Sequence, residues 1–131
     1  MTQQIRLSLP QWAVDNVILL NVRLNERTLN RMTLGTGSKY TIITPDVARR
    51  LNVDLQKARR IPVTTATQLE MTALTAINRV DVHGLALQDI ETAVMNLPAV
   101  LGVEGLLGMS FLRRCRMVLD VPNRLLELAT E

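Results

Sequence analysis

The stretch TLGTGSKYTIITPDVARRL, residues 33–51, carries the most specialised local chemistry in the chain, a glycine turn Gly35-Thr36-Gly37-Ser38 set between apolar runs. Turns of this composition often cradle phosphate groups, and two such uses can be tested by spacing. A loop of the GxxxxGK[ST] kind needs its lysine directly after a glycine, but Lys39 follows Ser38. A dinucleotide turn GxGxxG needs glycine at position 40, which is Tyr40. Both readings fail. Nucleophilic and metal chemistry are equally short of groups, because His83 and Cys115 are the only residues of their kinds. A triad would have to use His83, whose setting ValAspValHisGly at 80–84 reads as a strand end entering a turn. Cys115 alone allows no intrachain disulfide and no thiolate cluster for zinc, so neither a metal nor a cofactor is expected.

Composition narrows the partners. The net charge is only +3, from fifteen Lys and Arg against twelve Asp and Glu, with arginine pairs at 49–50, 59–60 and 113–114. A nucleic-acid surface needs a denser basic stripe with aromatics for stacking, and the chain has one Trp, one Tyr and one Phe; nucleic acid is not an expected partner. No apolar run reaches the ~18 residues of a membrane span, and MTQQIRLSLPQW lacks the layout of a signal peptide, so a cytoplasmic location is the expectation. The length of 131 residues fits a single domain, 1–131, with an aliphatic core.

The pattern along the chain is mainly of strands. NVILLNVRLN from Asn16 and TLNRMTL flank a turn at Asn25-Glu26-Arg27, and YTIIT follows the glycine turn. Thr44, Pro45 and Asp46 give the cap, first position and acidic first turn of a short helix with Arg49 and Arg50 near its end, which should stop by Asn52. IPVTTAT (61–67) and LEMTALTAI (69–77) read as a hairpin with its tip near Ala66–Leu69; RVDVHG and LALQDIETAVMNL continue the strands. Residues 98–105 read as a loop, GLL as a strand before a short helix from about Ser110 to Arg114, and RLLELAT as a last strand after the VPN turn at 121–123.

In this order the pieces resemble the single-domain, retropepsin-like aspartic proteases, and in particular their bacterial branch. The glycine turn LeuGlyThrGlySer (34–38) is similar to the family's Asp-Thr/Ser-Gly turn, ThrAlaThrGln (65–68) to its hairpin flap, and Leu106-Leu107-Gly108 to its second-half apolar-apolar-glycine motif. The likeness runs from about residue 17 to 128. It implies an all-β acid-protease barrel with one or two short helices, assembled as a homodimer that binds an extended peptide or protein substrate. By the same resemblance Thr36 would bond to its mate across the dimer axis, Gly37 would permit a tight backbone, and Ser38, Ala66, Thr67 and Gln68 would border the substrate. Met71, Leu74 and the Pro98–Val103 loop would supply aliphatic pocket walls.

One residue departs from the family. Its catalytic carboxylate falls at Gly35, which can neither accept nor release a proton, and a dimer would present no acid at either copy. Asp46, Asp54 and Asp81 are separated from the turn by predicted elements, and Asp120 is placed to fix the VPN turn. Two origins fit: an enzyme inactivated at position 35, the preferred reading, or a natural pseudoprotease serving as a peptide-binding or dimerisation module. Gln68, where the flap tip commonly has glycine, supports the second. The alternation in QIRLSL and RLLELAT further suggests that both termini would be unpaired edges in a monomer, to be covered in a dimer.

Overall fold

A computed structural model describes residues 2–9, 18–64, 68–99 and 102–130. In chain order the elements are β1 (Gln4–Ser8), β2 (Leu19–Leu24), β3 (Arg27–Leu34), β4 (Thr41–Ile43), α1 (Pro45–Arg50), β5 (Arg59–Thr64), β6 (Leu69–Val82), β7 (Leu85–Val94), β8 (Gly105–Leu107), α2 (Met109–Leu112), β9 (Arg116–Asp120) and β10 (Leu125–Ala129). Seven strands form one sheet in the order β2-β3-β8-β4-β7-β6-β5, and β2 also pairs with β6, so the sheet curls toward closure. A second sheet has the order β1-β10-β9.

Local chemistry accounts for most of the joints. Asn25 adopts φ 53° between β2 and β3, a conformation that Asn tolerates better than most side chains. His83 (φ 50°) and Gly84 (φ 97°) make the two-residue turn from β6 to β7, where both central positions must be left-handed. Asp81 accepts the Gly84 N–H at 2.8 Å and locks that turn, which gives His83 a backbone duty. Helix α1 follows its sequence signals: the Thr44 hydroxyl accepts the Val47 N–H at 3.3 Å, Pro45 opens the helix, and Asp46 pairs with Arg49 and Arg50 at 3.3 and 3.4 Å. Helix α2 starts one residue earlier than expected and ends at Leu112, although Arg113 and Arg114 still donate to Met109 and Phe111.

The two sheets share one hydrophobic cluster. Phe111 of α2, Ile77, Val80 and Val82 of β6, Leu85 and Ile90 of β7, and Leu126 and Leu128 of β10 are all buried in it. Burying each such side chain contributes about 1.5–3 kcal/mol, so Leu126 and Leu128 are what fasten the small sheet to the large one. Gln3 adds a polar clasp: its side-chain amide donates to the Ala86 carbonyl and accepts the Ala86 N–H, both at 2.8 Å, as a neighbouring strand would.

LEMTALTAI and RVDV run on as one strand, the fourteen-residue β6, with β7 in a single register against it from Ala73 to Val82. One expectation is corrected. The terminal strands are not unpaired edges: β1 and β10 pair with each other from Gln4↔Ala129 to Ser8↔Leu125, and β10 is the central strand of its sheet. Alternation reports which face of a strand is covered, and here Leu126 and Leu128 cover it from within the chain. The outer edges of this sheet belong to β1 and β9.

Asp120 does hold the turn into β10, accepting the Asn123 side-chain amide at 2.9 Å and the Asn123 N–H at 3.2 Å. These bonds, the side-chain one first, keep its carboxyl below the ordinary value of 3.8. Because the folded value lies below the unfolded one, the stabilisation is complete above the ordinary value and fades as pH falls through the folded one. We expect Asn123→Ala to reduce the acid-side fall in stability, measured as the slope of urea midpoint against pH below 4; an unchanged slope would refute the assignment.

Candidate active-site turn and groove

The site is built by inserting one short strand between two others. β8 runs parallel to β3 (Met32↔Gly105, Thr33↔Leu106, Leu34↔Leu107) and antiparallel to β4 (Ile42↔Leu106, Ile43↔Gly105). The chain leaving β3 therefore has to turn over the end of β8 to reach β4, and residues 35–40 are that turn. Gly35 donates its N–H to the Leu107 carbonyl at 2.9 Å, Met109 donates to the Ser38 carbonyl at 2.8 Å, and the Ser38 hydroxyl donates to the Tyr40 carbonyl at 2.7 Å.

A buried polar knot fixes the same junction. The Ser110 hydroxyl accepts the Thr41 N–H at 2.9 Å and donates to Thr41 Oγ1 at 3.0 Å, while Thr41 Oγ1 also accepts the Gly108 N–H at 3.1 Å. Thr41 is fully buried and Ser110 nearly so, and no described buried side-chain polar atom lacks a partner. Glycine is needed at two points here. A Cβ on Gly108 would lie 2.1 Å from the Tyr40 carbonyl oxygen, and one on Gly105 would lie 2.6 Å from that of Ile42. Both obstacles are backbone, which cannot swing aside.

The residues singled out in the sequence come together in part. Gly35, Ser38, Leu106, Leu107 and Gly108 meet at the turn; Leu107 is fully buried and Leu106 is half-buried on the opposite face of β8. Thr36 and Gly37 are exposed. Gly37 is outside the left-handed region and a Cβ on it would meet nothing within 4 Å, so this chain alone does not impose the tightness the resemblance assigns to it. Ala66 and Thr67 lie outside the described residues. Gln68 donates to Glu70 at 2.8 Å.

A cavity of about 400 Å³ opens beside the turn, lined by Gly37, Ser38, Lys39 and Tyr40 on one side, Ile42, Ala93 and Met95 at its base, and Val63 and Thr64 of β5. Of the residues expected as pocket walls, Met71 is 60% exposed and Leu74 is buried, paired in register with the cavity-lining Ala93. Lys39 stands at the rim, 5.3 Å from the Tyr40 ring centroid. The Asp side chains considered as substitutes are engaged elsewhere: Asp46 with Arg49 and Arg50, Asp54 with the Gln56 and Lys57 amides, Asp81 with Gly84 and Arg79, and Asp120 with Asn123. Among the described residues no group of three or more His, Cys, Asp or Glu could hold a metal ion. The half-buried Cys115 thiol is pushed up by burial.

A family model described as gag-polyprotein putative aspartyl protease matches residues 20–114. The chain belongs to that family. Its fold is shared with a solved retropepsin-like aspartic protease from Rickettsia conorii, at a TM-score of 0.75 and 24% sequence identity over 99% of this chain and 92% of that one. No curated protein sequence gives a significant match. The retropepsin-like, mostly β architecture with two short helices thus agrees with the expectation. Among the described residues no helix is long and apolar enough to cross a membrane.

Sequence reasoning missed Thr41 and Ser110 as the knot of this retropepsin-like turn, and the available signal was weak: a hydroxyl residue in each of two apolar runs. Ser110→Ala should cost about 1–3 kcal/mol by leaving the buried Thr41 N–H without its acceptor. Gly108→Ala should cost more than ~2 kcal/mol, whereas Gly37→Ala should stay within about 1 kcal/mol. Chemical denaturation of the three variants orders them, and a Gly37→Ala penalty equal to that of Gly108→Ala would contradict the geometry.

Proposed function

We propose that this chain is an aspartic endopeptidase of retropepsin type that forms a homodimer around an extended peptide, and that it is inactive as written because Gly35 stands where the family's acid belongs. Gly35 carries this reading. It sits at the end of β3, fastened to Leu107 of β8, in the turn that the family resemblance assigns to the catalytic carboxylate. The frame around it is intact, with the Thr41–Ser110–Gly108 knot below and an open apolar cavity beside it.

The chemistry follows from what is missing. Two carboxylates close enough to share a proton would let one draw a proton from water while the other donates to the peptide carbonyl oxygen. Loss of one positioned acid or base costs on the order of 10²–10⁴ in rate, and a dimer of this chain lacks both copies. Binding is a separate matter. Main-chain pairing of an extended peptide with a sheet edge needs no carboxylate, and the apolar lining by Ile42, Val63, Ala93 and Met95 suits aliphatic side chains. Thr36 and Gly37 present an exposed face of the turn, and the Thr36 hydroxyl has no partner among the described residues, which suits a contact with a second copy. The dimer reading draws nothing from the terminal strands, since those pair within the chain.

The second reading, a natural noncatalytic peptide-binding module, is favoured by one observation. A Cβ at position 35 would fall 2.3, 2.5 and 2.8 Å from Leu106 Cδ2, Cγ and Cδ1, so the site is packed around a glycine. Light scattering should show a dimer, and the chain as written should bind peptides without cutting them. Gly35→Asp, prepared with Leu106 and with Leu106→Ala, should gain pepstatin-sensitive cleavage at acid pH, by about 10²-fold or more over the starting chain. A folded, dimeric Gly35→Asp protein that stays silent in both backgrounds would leave the noncatalytic module as the function; a strict monomer would sink the homodimer.

A further inference from the structure

Strand β3 begins about 23 Å from its end at the Gly35 turn, seven residue steps away, and its first residue borders a second opening. Closure of the large sheet builds that opening. β2 reaches β6 at Leu24↔Val80 and Arg23↔Asp81, and the turn after β2 is stitched to β6 in both directions: the Asn25 N–H donates to the Arg79 carbonyl at 2.8 Å, and the Arg79 N–H donates to Asn25 Oδ1 at 3.1 Å. The end of α1 supplies another side. The space enclosed is about 540 Å³, within the range of small-molecule sites, and Arg27, Arg50 and Arg79 all line it.

This lining brings three guanidinium groups together with one carboxylate, that of Glu26. Two of the three are already steered: Arg50 by Asp46 at 3.4 Å and Glu104 at 2.8 Å, and Arg79 by Asp81 at 3.2 Å. Each pair uses one or two of the five N–H donors of its guanidinium and leaves the others for a ligand. Arg27 makes no ion pair among the described residues. A helix C-terminus ordinarily repels anions, but this one is capped. Asn52, at φ 59°, gives its N–H to the Arg49 carbonyl at 3.0 Å, and Val53 gives its own to that of Ala48 at 3.0 Å.

We propose that this groove binds a soluble small molecule carrying two or more phosphate groups. Arginine suits that ligand, because its flat fork meets phosphate oxygens with two parallel N–H bonds, and all three cations of the lining are arginine. Several anionic groups are required because Glu26 and the existing ion pairs offset part of the positive charge, and groups joined in one molecule engage several forks at once. The groove shares no residue with the cavity beside the glycine turn, so it stands apart from the peptide-binding reading.

Calorimetric titration of the intact chain with inorganic tripolyphosphate, in about 0.1 M salt, tests the site. Tripolyphosphate should bind with a dissociation constant below about 1 mM, and inorganic phosphate about tenfold more weakly or worse. Arg27→Gln should weaken tripolyphosphate by about tenfold, the worth of a charged hydrogen bond, while Glu26→Gln should tighten it by about twofold or more. Arg60→Gln makes the same change of charge on β5, at a residue paired with Ala73, six positions before Arg79 along β6; it should leave the constant unaltered. Both groove side chains are exposed, so thermal unfolding of these variants should stay within about 3 °C of the starting chain. No binding, equal losses in Arg27→Gln and Arg60→Gln, or a Glu26→Gln protein that binds no better would each overturn the proposal. Citrate binding as tightly as tripolyphosphate would remove the phosphate assignment, and a single-stranded DNA dodecamer binding more tightly would give the groove to nucleic acid instead.

Discussion

The structure depends on the wedging of β8 between β3 and β4. A three-residue strand has too few main-chain bonds to hold its own place, and here it is pinned by what flanks it: the Gly35 amide on Leu107, the Ser38 carbonyl on Met109, and the Thr41–Ser110–Gly108 knot. Parallel pairing on one side and antiparallel pairing on the other leave no register in which these bonds are made and β8 is shifted. Gly105 and Gly108 belong to the same constraint, since each lets a neighbouring carbonyl come closer than a side chain would permit. The turn at 35–40 is therefore a consequence of the insertion: the chain has to cross the end of β8.

The shape of the turn does not depend on a side chain at position 35. None of the bonds that hold the turn uses a side chain at 35; they use the Gly35 N–H, the backbone of Ser38 and Leu107, and hydroxyls buried below. The carboxylate expected there would be a passenger on the frame. In this chain Leu106 lies where a Cβ at position 35 would stand. Frame and chemistry are thus independent.

Much of this was legible in the sequence where short-range chemistry decides. Thr44-Pro45-Asp46 specified the start of α1, Asn25 and His83-Gly84 marked their turns, Asp120 marked the turn before β10, and the order of LGTGS and LLG pointed to the family. What was not legible is non-local. β8 meets β3 and β4 across some seventy residues of chain, and nothing in GLL states which strands will flank it. β1 and β10 join the two ends of the chain, and their alternation disclosed a covered face without naming the cover. Met71 and Leu74 lie three apart on β6 and so face opposite ways, one exposed and one buried beside Ala93, and the sequence does not say which face the fold covers.

The uninterrupted course of β6 has a mechanical meaning. From Ala73 to Val82 it is gripped by β7, with β2 added at Val80 and Asp81, whereas from Leu69 to Thr72 its one strand partner among the described residues is β5. At about 3.3 Å per residue this makes a beam some 45 Å long, clamped in the core at one end and overhanging beside the cavity at the other. A load applied near Val63 and Thr64 would bend the overhang as a unit, and the stiffness opposing it would be set at the root of the clamp, where Ala73 and Leu74 first pair with Val94 and Ala93.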